Sequence, residues 1–175
     1  KVYTDALSPS NFFWSNPDVL KKTMETKGEN LVHGLENMLD DLKRGKGQLS
    51  PKMTDDSAFE VGRNIAVTPG KVIFENDLMQ LLQYEPTTKE VYKRPLLITP
   101  PWINKFYILD LKSENSFIKW CTEQGYTVFV ISWVNPDERH VDKTFESYMS
   151  EGILAALDAI ETSIGEREVT TIGYC

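Results

Sequence analysis

The sequence has 175 residues, a mass of 20.0 kDa and 41% apolar residues, which is enough for a domain with a sizeable core. The net charge of −7 argues against a nucleic-acid binder, and no stretch approaches the apolar length of a transmembrane segment. The two cysteines, Cys121 and Cys175, lie far apart and outside any metal-ligand spacing. We therefore expect no metal site and a reducing, cytoplasmic setting.

Residues 1–66 are predicted to form a helical N-terminal region. The stretch SNPDVLKK is typical of a helix start, because Ser15 or Asn16 can cap the helix and Pro17 suits its first turn. A second helix is expected to close at Gly45. Its apolar residues fall at helical spacing and form one stripe: Leu31, Leu35, Met38, Leu39 and Leu42.

Residues 67–175 alternate strands and helices. The apolar and β-branched segments that predict strands are KVIFEND, MQLLQYEP, PLLITP, YTVFVISW and EVTTIG. A short helix in NSFIKWCTEQG is expected to place these residues on one side: Phe117, Ile118, Trp120 and Cys121. A long helix from Thr144 to about Ile164 has a predicted apolar face made of Phe145, Tyr148, Met149, Ile153, Ala156, Leu157 and Ile160.

This alternation predicts an α/β fold with a mostly parallel sheet that is covered on both faces. In such sheets the active crevice lies beyond the carboxyl ends of the strands. Two peptides are predicted at those ends, PPWINKFY after the PLLITP strand and GYC after the last strand. We therefore expect the functional site between these two peptides.

The terminal GYC has the first half of a G-x-S-x-G nucleophile elbow in which cysteine replaces serine. In that interpretation Gly173 permits the sharp strand-to-helix turn and Cys175 is the nucleophile. The loop after PLLITP then falls where an α/β-hydrolase places one oxyanion-hole amide, the backbone N–H of Trp102 or Ile103. The other interpretation, in which Cys175 is a small buried apolar residue, stays open on the pattern alone.

The two histidines do not offer a catalytic base by their position. His33 lies within a predicted N-terminal helix, and His140 lies in a charged loop where we expect a solvated side chain. Asp137 and Asp142 in the same loop are expected to be turn and cap residues.

The whole chain resembles the class I polyhydroxyalkanoate synthases, bacterial enzymes that make storage polyesters. The resemblance rests on NFFWSNPDVL, AFEVGRNIAVTPGKVIFENDLMQLLQYEPTT, RPLLITPPWINKFYILDL, GYTVFVISWVNPD and GEREVTTIGYC, and PPWINKFYILDL is its most specific part. By this resemblance, residues 67–175 form the first half of an α/β-hydrolase-type catalytic domain that is truncated at the nucleophile.

The resemblance implies that Cys175 accepts an acyl group from an (R)-3-hydroxyacyl-coenzyme A and that a polyester grows with release of coenzyme A. It implies no cofactor, because coenzyme A is part of the substrate. It also implies homodimerisation, granule-associated protein partners and attachment to cytoplasmic polyester granules. The catalytic His and Asp of the family lie downstream of the nucleophile, so this chain alone is expected to be inactive.

Two other functions remain compatible with the sequence. One is a different α/β-hydrolase with a cysteine nucleophile, such as a thioesterase or lactone hydrolase, although such an enzyme has no need of the helical residues 1–66. The other is a non-catalytic module that uses its N-terminal helices for dimer or granule contacts. The aromatic cluster NFFW suits such contacts, and it also suits a hydrophobic staple for the next helix.

Overall fold

The computed structural model describes residues 2–55 and 57–174. The chain divides into two compact units, one up to residue 56 and one from residue 57. Residues 57–66 cluster with the second unit. The division into a helical N-terminal region, residues 1–66, and a catalytic region, residues 67–175, stays a prediction. Cys175 lies outside the described residues.

The first unit consists of helices joined by turns: α1 (Val2–Ala6), a 3-10 turn (Pro9–Asn11), α2 (Pro17–Glu25) and α3 (Glu29–Arg44). The predicted helix start is confirmed, because the Asn16 side chain accepts hydrogen bonds from the N–H groups of Asp18 at 2.9 Å and Val19 at 3.4 Å. Gly45 caps the C-terminal end of α3, as expected. Four of the five predicted stripe residues on α3 are exposed: Leu31, Leu35, Met38 and Leu39.

The second unit contains a five-stranded sheet with the order β1-β2-β4-β3-β5 among the described residues. Its strands are β1 (Gly70–Glu75), β2 (Met79–Tyr84), β3 (Leu96–Thr99), β4 (Val128–Trp133) and β5 (Thr170–Gly173). All five predicted strands are present. β4, β3 and β5 run parallel, as predicted, whereas β2 pairs antiparallel with both β1 and β4.

Helices cover both faces of β3 and β4, which confirms a mixed α/β architecture. On one face α4 (Phe117–Glu123) buries Ile118 and Cys121 against Ile98 and Val130. On the other face a long helix packs on Leu97, Phe129 and Ile131. Strands that are buried on both faces read as unbroken apolar runs, and YTVFVISW has that pattern.

The long helix consists of three consecutive segments: α5 (Phe145–Ser147), a π-helical segment (Tyr148–Leu154) and α6 (Ala155–Ile164). Its predicted apolar face is buried at Ala156 and Ile160, whereas Phe145 and Met149 of the same predicted face are exposed. The π-helical segment explains the difference. Its i→i+5 hydrogen bonds interrupt the 3.6-residue period, so one helical wheel does not describe both ends of the helix.

The predicted orientation of α4 is likewise wrong in part. Ile118 and Cys121 are buried, but Phe117 and Trp120 are exposed and stack on each other with ring centroids 5.9 Å apart. Thr122 is the other buried residue of α4. A helix of seven residues covers the sheet with only a narrow stripe, so its remaining aromatic residues face outward.

The edge strand β1 carries a β-bulge. Val72 lies opposite Leu82 and Phe74 lies opposite Leu81, which leaves Ile73 as the extra residue. Ile73 and Phe74 are both half-buried and both pack against the core beneath the long helix. Within residues 2–55 and 57–174, no helix has the length and apolar character needed to cross a membrane.

Candidate active site

A cleft lies at the carboxyl ends of the three parallel strands, where the sequence predicted the site. Its volume is about 280 Å³. Thr99, Trp133 and Gly173 contribute the ends of β3, β4 and β5. The cleft is also lined by Pro100, Pro101, Trp102, Phe145, Tyr148, Met149, Ile153 and Tyr174. None of these described lining residues is charged, so the cleft is an apolar, aromatic-walled space.

The peptide after β3 forms a tight turn at the edge of this cleft. The N–H of Asn104 donates to the carbonyl oxygen of Pro101 at 3.0 Å, so Trp102 and Ile103 are the central residues of the turn. Among the described residues, neither of their N–H groups donates a hydrogen bond. Both side chains are exposed, with 49% and 88% of their surface accessible. The assignment of these two amides as oxyanion donors stays a prediction.

Two contacts tie the peptide after β3 to β4 and to the residues that follow it. The indole Nε1–H of Trp133 donates to the carbonyl oxygen of Pro100 at 2.7 Å. The Nζ of Lys105 donates to Oδ1 of Asn135. The turn at residues 101–104 is therefore anchored on both its sides to the neighbouring parallel strand or its extension.

Aromatic side chains from three elements meet over the turn. The Trp102 ring lies 4.4 Å from Tyr148 and 5.8 Å from Phe145 between centroids, and Tyr148 lies 5.5 Å from Trp133. The sequence predicts Phe145 and Tyr148 on the apolar face of the long helix, but it does not predict that they line the cleft. The missed signal is positional, since both open the helix that follows a parallel strand and such helix starts lie near the crevice.

The Tyr174 hydroxyl is a buried polar group beside the cleft. It has no hydrogen-bond partner among the described residues. Burial raises the pKa of Tyr174, and the nearby Asn104 side chain only partly offsets this rise. Tyr174 is thus a neutral phenol at physiological pH, and it presents a hydroxyl rather than a charge.

The predicted elbow lies next to the cleft but only its first residues are described. Gly173 ends β5, and a Cβ added there would meet no described atom within 4 Å. The described neighbours therefore supply no steric reason for glycine at this position. The assignments of Cys175 as the nucleophile and of Gly173 as an elbow residue stay predictions.

The expectation that the His140 side chain is solvated is wrong, because this side chain is buried. Its Nδ1 accepts from the N–H of Asp137 at 3.1 Å, and its Nε2–H donates to the carbonyl oxygen of Asp77 at 3.0 Å. Both ring nitrogens are thus used in bracing the loop, and His140 does not line the cleft. His33 lies on α3 as predicted, and Asp137 is the predicted cap residue.

Cys121 is a packed thiol, as expected. It is buried on the face of α4 that packs against the sheet, and burial raises the pKa of its thiol. A raised pKa lowers the thiolate fraction and with it the reactivity. No group of three or more His, Cys, Asp and Glu side chains suited to a metal ion occurs within the part of the chain that the structure describes.

The chain is similar along almost its whole length to polyester polymerases. It is 59% identical over 170 residues to the poly(3-hydroxyalkanoate) polymerase subunit PhaC of Rhizobium meliloti, which covers 97% of this chain and 28% of that protein. It is 60% identical over 170 residues to the poly(3-hydroxyalkanoate) polymerase of Methylorubrum extorquens. That alignment covers 97% of this chain and 28% of the relative. The subunit PhaC of Cupriavidus necator is 46% identical over 173 residues, 99% of this chain and 29% of its own length.

The chain therefore spans a little over a quarter of the length of these curated relatives. A family model described as the N-terminus of poly-beta-hydroxybutyrate polymerase (PhaC) matches residues 1–121. This match covers the first unit, β1, β2, β3, the turn at the cleft and most of α4. On these grounds the chain belongs to the poly-beta-hydroxybutyrate polymerase (PhaC) N-terminus family.

Proposed function

We propose that this chain is the N-terminal part of a polyhydroxyalkanoate polymerase that extends a polyester from (R)-3-hydroxyacyl-coenzyme A. The observation that carries the proposal is membership of the polymerase family, together with an apolar cleft at the carboxyl ends of the parallel strands. The proposal includes an α/β-hydrolase-type fold, which the turn after β3 and the position of GYC after a parallel strand support.

The proposed chemistry begins with the Cys175 thiolate. It attacks the carbonyl carbon of the substrate thioester, a tetrahedral oxyanion forms, and the coenzyme A thiolate leaves as the acyl-enzyme thioester is made. The hydroxyl oxygen of a bound hydroxyacyl unit then attacks a thioester carbonyl and loses its proton to a base. A new ester bond forms and the thiolate is released, so each cycle lengthens the chain by one unit.

Residues beyond this chain are proposed to supply the base and its partner, a histidine and an aspartate. The amide of Trp102 or Ile103 is proposed to donate to the oxyanion, where one preorganised donor contributes about 3–4 kcal/mol. The exposed position of both residues in the turn at the cleft supports this assignment.

The lining of the cleft favours the acyl portion of the substrate over coenzyme A. Its described residues are apolar or aromatic, with the hydroxyls of Thr99, Tyr148 and Tyr174 as the polar groups. Such walls suit a short hydroxyacyl chain, whereas the phosphates of coenzyme A require cationic or N–H donors. We assign the coenzyme A contacts to residues outside this chain.

Homodimerisation and association with cytoplasmic polyester granules and their proteins are part of the same proposal. The family resemblance supports them, and so do the exposed apolar residues of the first unit, including Phe13 and Trp14. Light scattering of the purified full-length protein, with and without a substrate analogue, tests the dimer. Cell fractionation with polyester granules tests the association.

The test of the enzymatic proposal uses the full-length protein that contains this chain. Cys175→Ala is expected to abolish coenzyme A release and polymer formation from 3-hydroxybutyryl-coenzyme A while the protein stays folded. Cys121→Ser is the matched control, and it should keep most of the activity because Cys121 is a core residue. Polymer formation by the Cys175 variant would refute the proposal, and release of free hydroxy acid instead of polymer would indicate a hydrolase.

A further inference from the structure

The Trp133 indole donates a hydrogen bond to a carbonyl group that lies just past the end of β3. β3 ends at Thr99, so the carbonyl of Pro100 lies beyond the sheet ladder. The peptide bond between Pro100 and Pro101 has no N–H, because proline nitrogen carries no hydrogen. That peptide can therefore be fixed by hydrogen bonding only through its carbonyl oxygen, and the indole of Trp133 donates to this atom at 2.7 Å.

Fixing this one carbonyl orients the turn that follows it. The ring of Pro101 restricts its own φ to about −65°, so a fixed preceding peptide plane leaves little freedom before Trp102. The hydrogen bond from Asn104 N–H to Pro101 O then closes the turn. The directions of the Trp102 and Ile103 amides are thus set by a short, stiff chain of constraints that starts at the Trp133 indole.

Gly152 provides the space for that indole. It is buried in the π-helical segment, and a Cβ at this position would lie 2.6 Å from Cη2 and 2.8 Å from Cζ3 of Trp133. Such distances are too short for carbon atoms, so any larger residue must displace the ring or the helix. The ring also contacts Tyr148, which belongs to the same π-helical segment, with 5.5 Å between ring centroids.

We propose that Trp133 is a positioning residue for acyl transfer: its indole N–H orients the turn amides at residues 102 and 103, and Gly152 acts through Trp133. This inference rests on the proposed function, since it concerns the oxyanion formed when Cys175 is acylated. The Trp133 ring also lines the cleft, but in this role its indole N–H acts on the turn and not on the reacting atoms. Its effect is exerted on the amides that receive the negative charge.

The test separates oxyanion stabilisation from thiol reactivity in the full-length protein. Acylation of Cys175 by 3-hydroxybutyryl-coenzyme A passes through an oxyanion, and its rate is measured from the burst of coenzyme A release. Alkylation of the same thiol by iodoacetamide is a direct displacement that forms no oxyanion, and it is followed by mass spectrometry of the Cys175 peptide. A general loss of structure or of thiolate would lower both rates together.

Trp133→Phe keeps an aromatic ring and removes the N–H donor. We expect its acylation rate to fall roughly 10- to 100-fold, the usual consequence of a small misplacement of catalytic groups. Its alkylation rate should stay near that of the wild type. Trp120→Phe is the matched control, because Trp120 is exposed on α4 and lines no part of the cleft; both of its rates should be unchanged.

Two further variants keep the test decisive if Trp133→Phe folds poorly. Benzothienylalanine at position 133 keeps the shape of the indole but replaces its N–H with sulfur, and it should show the same selective loss. Gly152→Ala should do so as well, since the new methyl group displaces the indole. Trp133→Phe combined with Gly152→Ala should resemble Trp133→Phe alone, because phenylalanine lacks the outer ring atoms that the methyl group would meet.

The outcomes distinguish this inference from the proposed function. An unchanged acylation rate in the benzothienylalanine protein, or an equal fall of both rates, overturns the positioning role of Trp133. Additive losses in the double variant overturn the role of Gly152 through Trp133. If Cys175→Ala still releases coenzyme A in a burst, the proposed nucleophile itself is wrong, whatever the Trp133 variants do.

Discussion

Replacing His140 with alanine is expected to loosen the loop between β4 and the long helix. The buried ring makes two hydrogen bonds. Its Nδ1 accepts from the Asp137 N–H, and its Nε2–H donates to the carbonyl oxygen of Asp77, which lies 63 residues earlier in the sequence. Each neutral hydrogen bond contributes about 1 kcal/mol, and burial of the ring carbons adds to this. Together, these losses are expected to lower the free energy of opening this loop by about 2–3 kcal/mol.

Hydrogen–deuterium exchange of the full-length protein measures this change locally. A loss of about 2–3 kcal/mol corresponds to a roughly 30- to 140-fold faster exchange in peptides that cover residues 137–143, provided that exchange proceeds through local opening. His33→Ala is the matched control. His33 lies exposed on α3, so its replacement should leave exchange at residues 137–143 unchanged.

His140→Asn divides the effect between the two hydrogen bonds. The asparagine carbonyl can replace Nδ1 as the acceptor for the Asp137 N–H, but its shorter side chain does not reach the Asp77 carbonyl. We expect an intermediate rate of exchange. Unchanged protection of the loop in a folded His140→Ala protein would refute the account of His140 as a buried brace.

The remaining predictions concern side chains away from the cleft. Iodoacetamide should modify Cys121 slowly in the native protein and rapidly in urea, because burial raises the pKa of its thiol; fast native labelling would contradict this. Thr68→Val should lower the free energy of unfolding by about 1.5–3 kcal/mol, measured in urea, because the Thr68 hydroxyl donates at 2.7 Å to the buried carboxylate of Asp110. The hydrogen bonds from Arg139 hold the pKa of Asp137 in the folded protein below its ordinary value of 3.8. The Asp137 carboxylate therefore stabilises the folded state above pH 3.8, and this stabilisation is lost as the pH falls through the pKa of the folded state. The stability difference between wild type and Asp137→Asn should therefore shrink on acidification below about pH 4, and a difference that grows would have the wrong sign.

The strands and the cleft at their carboxyl ends were predictable because local sequence and burial agree. YTVFVISW is apolar and β-branched throughout, and a strand buried on both faces needs that composition. Successive strands joined by helices predict parallel pairing, and parallel pairing predicts a crevice at the carboxyl ends of the strands. The antiparallel pairing of β2 with β4 was not predicted, since strand order depends on contacts between distant segments.

The wrong predictions have specific physical causes. Phe145 and Met149 fit a regular helical period, but the π-helical segment interrupts that period. The residue pattern does not predict the π-helical segment. His140 lies in a charged stretch, and its burial depends on a carbonyl group contributed by Asp77, far away in the chain. The role of Trp133 depends on a contact with Pro100 across two strands, which periodicity does not reveal.

The bulge in β1 has a consequence for self-association. An edge strand with regular pairing offers a straight row of N–H and C=O groups to which a strand of another copy can add. The extra residue, Ile73, breaks that row near its middle and increases the local twist. Lys71 and Glu75 place charges of both signs along the same exposed border. The bulge and these charges therefore disfavour aggregation in which β1 of one copy pairs with a strand of another copy at high concentration.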